Sequence, residues 1–404
     1  MKSRTARRIL VAASAVTCLG LVLASASSRG QHLTAPVTVP FDLVNRHIVV
    51  PVTVNGSRPL AFIFDTGNTE AILDASRARE LNIPAGRELS VTGTGSGSLR
   101  AFFVSDARFA LSAAPEISQP IAIAVPLDRL SPRLGHDVDG IFGTKFIEAF
   151  VVEVDYQRSR LVLHDASTFA YDGSGTVLPL RFDKSTHPVI DGAVAYQGAR
   201  YAGSFVLDLG SSSALTLHTP FVKAHGIPEL TVPLLGAGGA AGKTRGVAGR
   251  VSSLVLGPYA MPNPPAVFAD DESGAFTRGG VLGTIGERAM ARFRIYLDYR
   301  RSRVILEPAS DVAAPFPIAT CGCSVTAEGP GFHTFRIEAV ADDWPAARSG
   351  VRPGDVIAAV DGRDTATLTL TELLAYFETP ASRRLRIVRG GSTVEVSLTP
   401  RPIP

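Results

Sequence analysis

The sequence predicts a mainly β protein with two similar lobes, followed by a small α+β domain. Two apolar runs support the lobes: one ends in Asp-Thr-Gly at Asp65 and the other in Asp-Leu-Gly at Asp208, 143 residues later. A third observation, the change of composition after the prolines within 308–317, separates the last domain. A motif that recurs together with its surroundings indicates duplication of a whole domain.

Other landmarks recur at nearly the same spacing, so coincidence does not explain the match. The matching pairs are Gly93 with Gly236, Asp155 with Asp298, and residues 140–144 with 280–284. The order of elements is therefore expected to be the same in both lobes.

Composition limits the classes of protein to consider. A chain of 404 residues has room for two or three domains, and 45% apolar with 19% charged residues is typical of a globular protein. The net charge of +3 is small and the basic residues are scattered, which argues against nucleic acid as a partner.

Residues 1–26 read as a signal peptide. Basic residues at 2, 4, 7 and 8 precede an apolar run at 9–24, and Ala24-Ser25-Ala26 offers a cleavage site between small residues. A retained membrane anchor is the alternative. We expect export to the periplasm or cell envelope, with no membrane span after the leader is removed.

The mature chain keeps two cysteines, Cys321 and Cys323, which form either a small strained disulfide or a redox or metal switch. Two thiols alone do not make a metal site, and the eight histidines lack ligand spacing. No metal site and no organic cofactor are expected.

The remaining chain divides at turn-rich breaks. Asn55-Gly56 between apolar runs predicts a hairpin just before Asp65. The predicted regions are an N-terminal arm (27–40), lobe 1 (41–170), lobe 2 (171–308), a linker (309–321) and the last domain (322–404).

The glycine-rich stretch 236–242 resembles a dinucleotide-binding loop only superficially. Such a loop follows a strand and opens a helix, whereas residues 245–256 continue in β-like alternation. We therefore interpret this stretch and its counterpart at 92–98 as hairpin tips.

Paired aspartates allow acid–base chemistry on a water molecule. Two carboxyl groups held close together share one proton, so one can act as a base and the other as an acid. Such a site needs one aspartate from each lobe. It also needs a glycine beside each aspartate, so that backbone amides can approach.

On these motifs, residues 41–308 resemble a bilobal aspartic protease of the pepsin and retropepsin superfamily. The short glycine-rich loops are more similar to those of bacterial retropepsin-like proteins than to those of pepsin itself. The resemblance implies that Asp65 and Asp208 are catalytic. It also implies roles for four residues that support the catalytic loops and four glycines of the flap loops. The support residues are Thr66, Gly67, Gly210 and Ser211, and the flap candidates are Gly93, Gly95, Gly236 and Gly238.

The second motif departs from the family pattern at Leu209, where Thr or Ser is usual. In the family these two hydroxyls hydrogen-bond across the lobes, so only Thr66 can do so here. We expect Leu209 to pack against apolar neighbours, and Ser211, Ser212 and Ser213 to supply hydroxyls that orient the carboxylate.

Residues 322–404 resemble a PDZ domain of bacterial envelope proteases, through Gly329-Pro330-Gly331-Phe332 and residues 352–357. Such domains bind extended peptide ends by strand addition. The resemblance implies peptide binding at Gly331, Phe332, His333 and Phe335. The bound segment would be a protein C-terminus, an internal strand or a part of this chain itself.

The expected function is that of an exported aspartic endopeptidase acting on peptides or unfolded proteins, with a PDZ domain that recruits or regulates them. Leu209 favours an alternative, a catalytically lapsed scaffold that only binds peptides. A purely structural envelope protein would leave the paired aspartates unexplained.

Overall fold

The computed structural model describes residues 32–95, 97–310, 312–316 and 318–404. Strands predominate in two similar lobes and a C-terminal unit, which confirms the predicted fold class. The predicted signal peptide, residues 1–26, lies outside the described residues.

The lobes are built from short strands and a few one- or two-turn helices. The elements of lobe 1 are β1 (Val37–Pro40), β2 (Asp42–Val44), β3 (His47–Val54), β4 (Leu60–Phe64), β5 (Ile72–Asp74), α1 (Ala75–Glu80), β6 (Ala85–Thr92), β7 (Ser98–Val104), β8 (Arg108–Leu111), β9 (Ala114–Pro120), β10 (Ile123–Val125), α2 (Ser131–Leu134), β11 (Gly140–Phe142), α3 (Thr144–Ile147), β12 (Phe150–Asp155), a 3-10 helix (Tyr156–Arg158) and β13 (Arg160–Asp165). Those of lobe 2 are β14 (Thr176–Phe182), β15 (Pro188–Tyr196), β16 (Ala199–Leu207), β17 (Leu215–Leu217), α4 (Thr219–His225), β18 (Val232–Pro233), β19 (Gly238–Gly239), β20 (Gly242–Lys243), β21 (Gly246–Arg250), β22 (Ser253–Leu256), β23 (Tyr259–Pro262), β24 (Pro265–Ala269), a 3-10 helix (Ala275–Thr277), β25 (Gly283–Ile285), α5 (Glu287–Met290), β26 (Phe293–Asp298), a 3-10 helix (Tyr299–Arg301) and β27 (Arg303–Pro308).

The apolar runs that precede the two aspartates are interior strands. Strand β4 lies between β3 and β11, and β16 lies between β15 and β25. Successive residues at 62–64 and at 205–207 are all buried, so both faces of the sheet are covered there, which explains why these runs are apolar without alternation. Each run therefore carries its aspartate to the end of a buried strand.

A shared sheet joins the lobes. The hairpins β12–β13 and β26–β27 are equivalent copies, and β12 pairs antiparallel with β26. Asp155 and Asp298 cap the two hairpin turns by accepting the amide N–H of Arg158 and Arg301. The duplication thus places both copies side by side, related by an approximate twofold axis between the two strands.

Two segments predicted as arm and linker contain paired strands. Strand β1, within the predicted arm, pairs with β13 and buries Val39 completely. Strand β28 (Ala319–Thr320), at the end of the predicted linker, pairs with the C-terminal β35 (Arg401–Pro402). Both segments are short and rich in proline or threonine, which hid pairing partners that are distant in sequence.

The C-terminal unit is a separate small sheet with its own core. Its elements are β28, β29 (Cys323–Glu328), a 3-10 helix (Pro330–Phe332), β30 (Thr334–Val340), α6 (Pro345–Arg348), β31 (Val356–Val360), β32 (Arg363–Asp364), a 3-10 helix (Thr365–Thr367), α7 (Leu370–Phe377), β33 (Arg383–Arg389), β34 (Ser392–Leu398) and β35 (Arg401–Pro402). The sulfur atoms of Cys321 and Cys323 lie 3.1 Å apart as free thiols. Among the helices within the described ranges, none is long and apolar enough to cross a membrane.

This unit contacts both lobes. On lobe 1, Gly135 lies against Leu370 of α7 and Ala327 of β29. On lobe 2, Lys243 Nζ lies 2.9 Å from Glu338 Oε1, and Trp344 packs in a small apolar cluster that contains Val232. The C-terminal unit therefore spans the two lobes.

Candidate active site

The two aspartates have equivalent backbone anchors. Asp65 directly follows β4, and its amide donates to the carbonyl of Phe142 at 2.9 Å. Asp208 directly follows β16, and its amide donates to the carbonyl of Ile285 at 3.0 Å. The first acceptor lies in the 140–144 segment, but Ile285 lies just beyond its expected counterpart, 280–284. Strands β11 and β25 pair with β4 and β16 at the same 143-residue spacing, so the segment equivalent to β11 is Gly283–Ile285 and the predicted match to 280–284 is wrong. The two equivalent strands brace the two turns in the same way.

The structure brings the two carboxyl groups together, each beside the glycine of the other turn. A Cβ atom added to Gly67 would lie 2.7 Å from Asp208 Cγ, and one added to Gly210 would lie 2.7 Å from Asp65 Oδ2. The amides of Gly67 and Gly210 donate to their own aspartates at 2.8 and 2.9 Å. Glycine is required at both positions because a side chain would occupy the place of a carboxyl group.

Burial shapes the protonation of the pair. Burial and the neighbouring charge of Asp208 hold the pKa of Asp65 well above its ordinary value. Burial also raises the pKa of Asp208, although the backbone amide of Gly210 opposes that shift. The two groups titrate as a pair, and the arrangement favours the state with one shared proton.

Of the two middle residues of the turns, Thr66 and Leu209, it is Thr66 that bonds across the lobes. Its fully buried hydroxyl donates to the carbonyl of Leu207 at 2.8 Å and accepts the amide of Leu209 at 2.8 Å. Leu209 is fully buried in the main apolar core, as expected from its side chain. The side chain of Thr66 therefore bonds to lobe 2, whereas the side chain of Leu209 has no polar group with which to bond to lobe 1.

Ser211 does not have the predicted contact. Its hydroxyl lies 3.0 Å from Ser213 Oγ, and its carbonyl accepts the amide of Glu287 at 2.7 Å. No hydrogen bond between the Ser211 hydroxyl and Asp208 is found in the described part of the chain. Ser211 thus connects the Asp208 turn to helix α5 through its backbone carbonyl.

The glycine-rich loops meet over a cavity of about 720 Å³. The amide of Gly97 donates to the carbonyl of Ala241 at 3.0 Å, and Gly95 lies against Gly242. The cavity is lined by both aspartates and by the flap candidates Gly93, Gly236 and Gly238. Three of the four predicted flap glycines therefore line the same cavity as the aspartates, whereas Gly95 lies against the facing loop.

Two histidines near the aspartates were not anticipated from the sequence. His47 begins β3, and His187 directly precedes β15; both line the cavity, and their charges when protonated lower the pKa of Asp208. Each stands shortly before its aspartate in the repeat, a correspondence that the sequence alone could have revealed. Within the described residues, no group of three or more His, Cys, Asp and Glu side chains is arranged to hold a metal ion.

The structure contradicts strand addition at β30, the strand that carries part of the predicted peptide-binding segment of the C-terminal unit. Strand β30 is paired with β29 on one side and β31 on the other, and Phe335 is fully buried. Gly331 and Phe332 form the tight turn between β29 and β30, and His333 Nδ1 lies 3.0 Å from the carbonyl of Leu368. An added strand needs a free edge, and β30 has none.

The main path of this sheet ends in β29 on one side and β34 on the other, and β29 is the edge strand next to β30. A peptide laid between β29 and α7 would meet Gly135 of lobe 1, whose added Cβ would lie 3.4 Å from Ala327 Cβ. The groove beside this edge is therefore partly filled by the chain itself.

Comparison with known proteins agrees with this architecture. The family model described as aspartyl protease matches residues 50–146 and 193–284, and the PDZ domain model matches residues 336–389. No curated protein matches the chain. The crystal structure of the aspartic proteinase from Irpex lacteus aligns with a TM-score of 0.43 and 16% identity, over 69% of this chain and 99% of that chain. The two lobes thus match the aspartyl protease model, one segment in each lobe, and the C-terminal unit matches the PDZ domain model.

Proposed function

We propose that the protein is an aspartic endopeptidase that hydrolyses peptide bonds with a water molecule activated by Asp65 and Asp208. The observation that carries this proposal is the pair of buried carboxyl groups, each seated on the glycine of the other turn. The match to the aspartyl protease model supports the same reaction class.

The reaction needs one ionised and one protonated carboxyl group. The ionised group takes a proton from the water while the water oxygen attacks the carbonyl carbon of the substrate. The protonated group donates its proton to the carbonyl oxygen. The resulting tetrahedral diol then collapses: the leaving nitrogen gains a proton, the C–N bond breaks, and the two carboxyl groups return to the singly protonated state. The raised pKa of Asp65 supplies the proton donor.

The shape of the cavity favours extended substrates. The two glycine-rich loops close the cavity, whose walls include apolar side chains such as Val91, Ile123 and Leu127. A folded domain cannot enter this space, whereas an extended chain can lie beneath the loops after they part. The substrate class is therefore peptides and unfolded protein segments.

The leader pattern supports export to the periplasm or cell envelope, with a mature chain that begins near Ser27. N-terminal sequencing of the protein from the envelope fraction tests this. Intact residues 1–26 on membrane-bound protein would contradict it.

The PDZ domain is proposed to act on the same substrates, by recruitment or regulation. A peptide that adds to β29 must displace Gly135 of lobe 1. Deletion of residues 322–404 should change rates on protein substrates more than on short peptides; equal changes would argue against a role in substrate selection.

A second candidate is a peptide-binding scaffold that has lost catalysis, which Leu209 favours. Thr66 nevertheless retains both of its hydrogen bonds across the lobes. This makes Leu209 a weaker argument for lost activity than it is from the sequence alone.

The test is incubation of the mature chain with an unfolded protein at several pH values between about 3 and 8. Because neither carboxyl group can perform both roles, Asp65→Asn and Asp208→Asn should each lower the rate by at least about 10³-fold. The matched control is Asp42→Asn, an exposed position on β2 that should leave the rate unchanged. Binding without cleavage by the unmodified protein would support the scaffold instead.

A further inference from the structure

The turn that joins β2 to β3 has an unusual backbone. Val44 pairs with His47, so Asn45 and Arg46 form a two-residue loop, with φ values of 40° and 68°. Hairpin loops of this length favour Asn and Gly, because positive φ is unfavourable for a residue with a bulky side chain. Arginine at the second position therefore indicates that its side chain has a specific role.

That side chain lies between two carboxylates of different domains. Arg46 Nη1 lies 3.4 Å from Glu287 Oε2 of lobe 2, and Arg46 Nη2 lies 3.2 Å from Glu378 Oε2 of the PDZ domain. Glu378 also receives Arg288 of lobe 2, with Nη2 2.6 Å from Oε1. Glu378 thus binds one arginine from each lobe.

The same helix holds the turn at a second point. Thr371 Oγ1 accepts the backbone amide of Asn45 at 2.8 Å. Thr371 lies on α7 and Glu378 is its C-terminal cap, so the two residues are about two helical turns apart on one face. By contrast, the equivalent turn of lobe 2 is held by the lobes themselves: Thr186 Oγ1 lies 2.8 Å from Thr69 Oγ1.

Both arginines held by Glu378 adjoin the aspartate site. The residue after Arg46 is His47, whose Nδ1 lies 2.8 Å from the carbonyl of Asn45 and whose ring faces the carbonyl of Gly210. Arg288 belongs to α5, and its amide donates to the carbonyl of Ser213 at 3.2 Å. Two segments, one at His47 and one at α5, contact the Asp208 turn. Each of them carries an arginine that Glu378 binds.

Glu378 is suited to hold two cations. Burial disfavours its charge, but the two guanidinium groups outweigh burial and hold the pKa of Glu378 below its ordinary value. Removing one partner from a partly buried ion network leaves the other charges uncompensated. Arg288, with a side chain 16% exposed, would be the most affected.

We propose that Glu378 of the PDZ domain is a positioning residue of the aspartate site. By holding Arg46 and Arg288, it fixes the two backbone segments that frame the Asp208 turn. The inference rests on the proposed function, and it assigns the PDZ domain a role in assembling the site that is separate from peptide recruitment.

The test compares two substitutions on the same helix of the full-length protein. Glu378→Gln removes the charge that binds both arginines. Glu372→Gln is the matched control, because among the described residues the Glu372 carboxylate contacts Thr369 and, more distantly, Arg363, both within the PDZ domain. On a short peptide substrate, Glu378→Gln should lower kcat about tenfold with KM changed less than about twofold, because the site is misaligned while the cavity is retained. Glu372→Gln should leave both constants unchanged.

Two further variants separate positioning from general stability. Glu378→Asp keeps the charge on a shorter side chain and should recover part of kcat. If Arg288 and Glu378 act through one contact, the kcat of the double variant Arg288→Gln, Glu378→Gln should be only slightly lower than that of the less active single variant. Equal losses of kcat in Glu378→Gln and Glu372→Gln, or no recovery in Glu378→Asp, would overturn the inference.

A readout without catalysis keeps the two proposals distinguishable. Amide hydrogen exchange at Leu209 and Gly210 should be faster in Glu378→Gln and unchanged in Glu372→Gln, whether or not the protein cleaves peptides. Unchanged exchange in Glu378→Gln would overturn the positioning role. Failure of the unmodified protein to cleave any substrate would instead overturn the proposed function.

Discussion

The two Asp-x-Gly turns are alike where they face each other and different where they hold the lobes together. Each aspartate follows a buried strand, accepts the amide of its own glycine, and lies beside the glycine of the other turn. Between aspartate and glycine, however, lobe 1 has Thr66 and lobe 2 has Leu209. The threonine makes two hydrogen bonds to lobe 2, and the leucine lies in the apolar core.

This difference teaches which parts of a duplicated site must stay the same. Space for the carboxyl groups has to be kept on both sides, because either glycine would collide with the opposite aspartate if it carried a side chain. The connection between lobes can be made from one side, because a single hydroxyl both donates and accepts. The burial of Leu209 offsets part of the lost reciprocal pair.

Substitution of either glycine should therefore lower activity to a similar extent, and this is the largest effect that we expect. Gly67→Ala and Gly210→Ala should each lower activity by about 100-fold or more, because the added methyl group displaces the opposite carboxyl group. The matched control is Gly279→Ala, since a Cβ there has no atom within 4 Å. Peptidase rates measure the effect, and a large loss in one glycine variant with none in the other would contradict the equivalence of the turns.

The threonine should be much more sensitive than the leucine. Thr66→Val keeps the shape but removes both hydrogen bonds, leaving the amide of Leu209 and the carbonyl of Leu207 without their partner. Each bond contributes about 1 kcal/mol, so the free energy of unfolding should fall by about 2 kcal/mol, with a loss of activity of about tenfold. Denaturant unfolding and peptidase rates test this; an unchanged variant would show that the lobes are held elsewhere.

The aspartates should titrate as one unit. Burial raises the pKa of both in the folded protein, so they favour the folded state below the ordinary aspartate range. That contribution is lost as the pH rises through the folded-state values, at up to about 1.4 kcal/mol per pH unit for each proton. Asp65→Asn should show a shallower decline of unfolding free energy between about pH 4 and 8, because one titrating group and its repulsion are gone. Equal slopes for variant and unmodified protein would contradict this.

Leu209→Thr should have the smallest effect. The new hydroxyl would face the backbone of lobe 1 and could form a stabilising hydrogen bond there, whereas the loss of apolar packing would lower the stability. We expect the fold to be kept and activity to be preserved or raised, with a smaller change in Tm than for Thr66→Val. An unfolded Leu209→Thr protein would mean that the two middle residues are not equivalent.

Much of this architecture could be predicted because the repeat is visible in the sequence. The Asp65 and Asp208 motifs share one spacing with Asp155 and Asp298, and this was enough to identify two lobes and the aspartates that face each other. Such features depend on local sequence, which survives duplication and can be compared directly.

Contacts between distant segments could not be predicted in the same way. Strand β1 looked like an arm because its partner, β13, is more than 100 residues away. Phe335 was assigned to a peptide-binding edge because its motif does not reveal which strands flank it. The contacts of Glu378 with Arg46 and Arg288 depend on how three domains pack, and no local pattern marks them.

The pairing of β12 with β26 has a consequence for how the site assembles. Both halves belong to one chain, so bringing Asp65 to Asp208 is an intramolecular step with a fixed effective concentration. Dilution does not separate the halves, and specific activity should therefore stay constant down to low protein concentration. A covalent pair also permits each half to change independently, which an assembly of two identical copies does not allow, and the single leucine at position 209 is such a change.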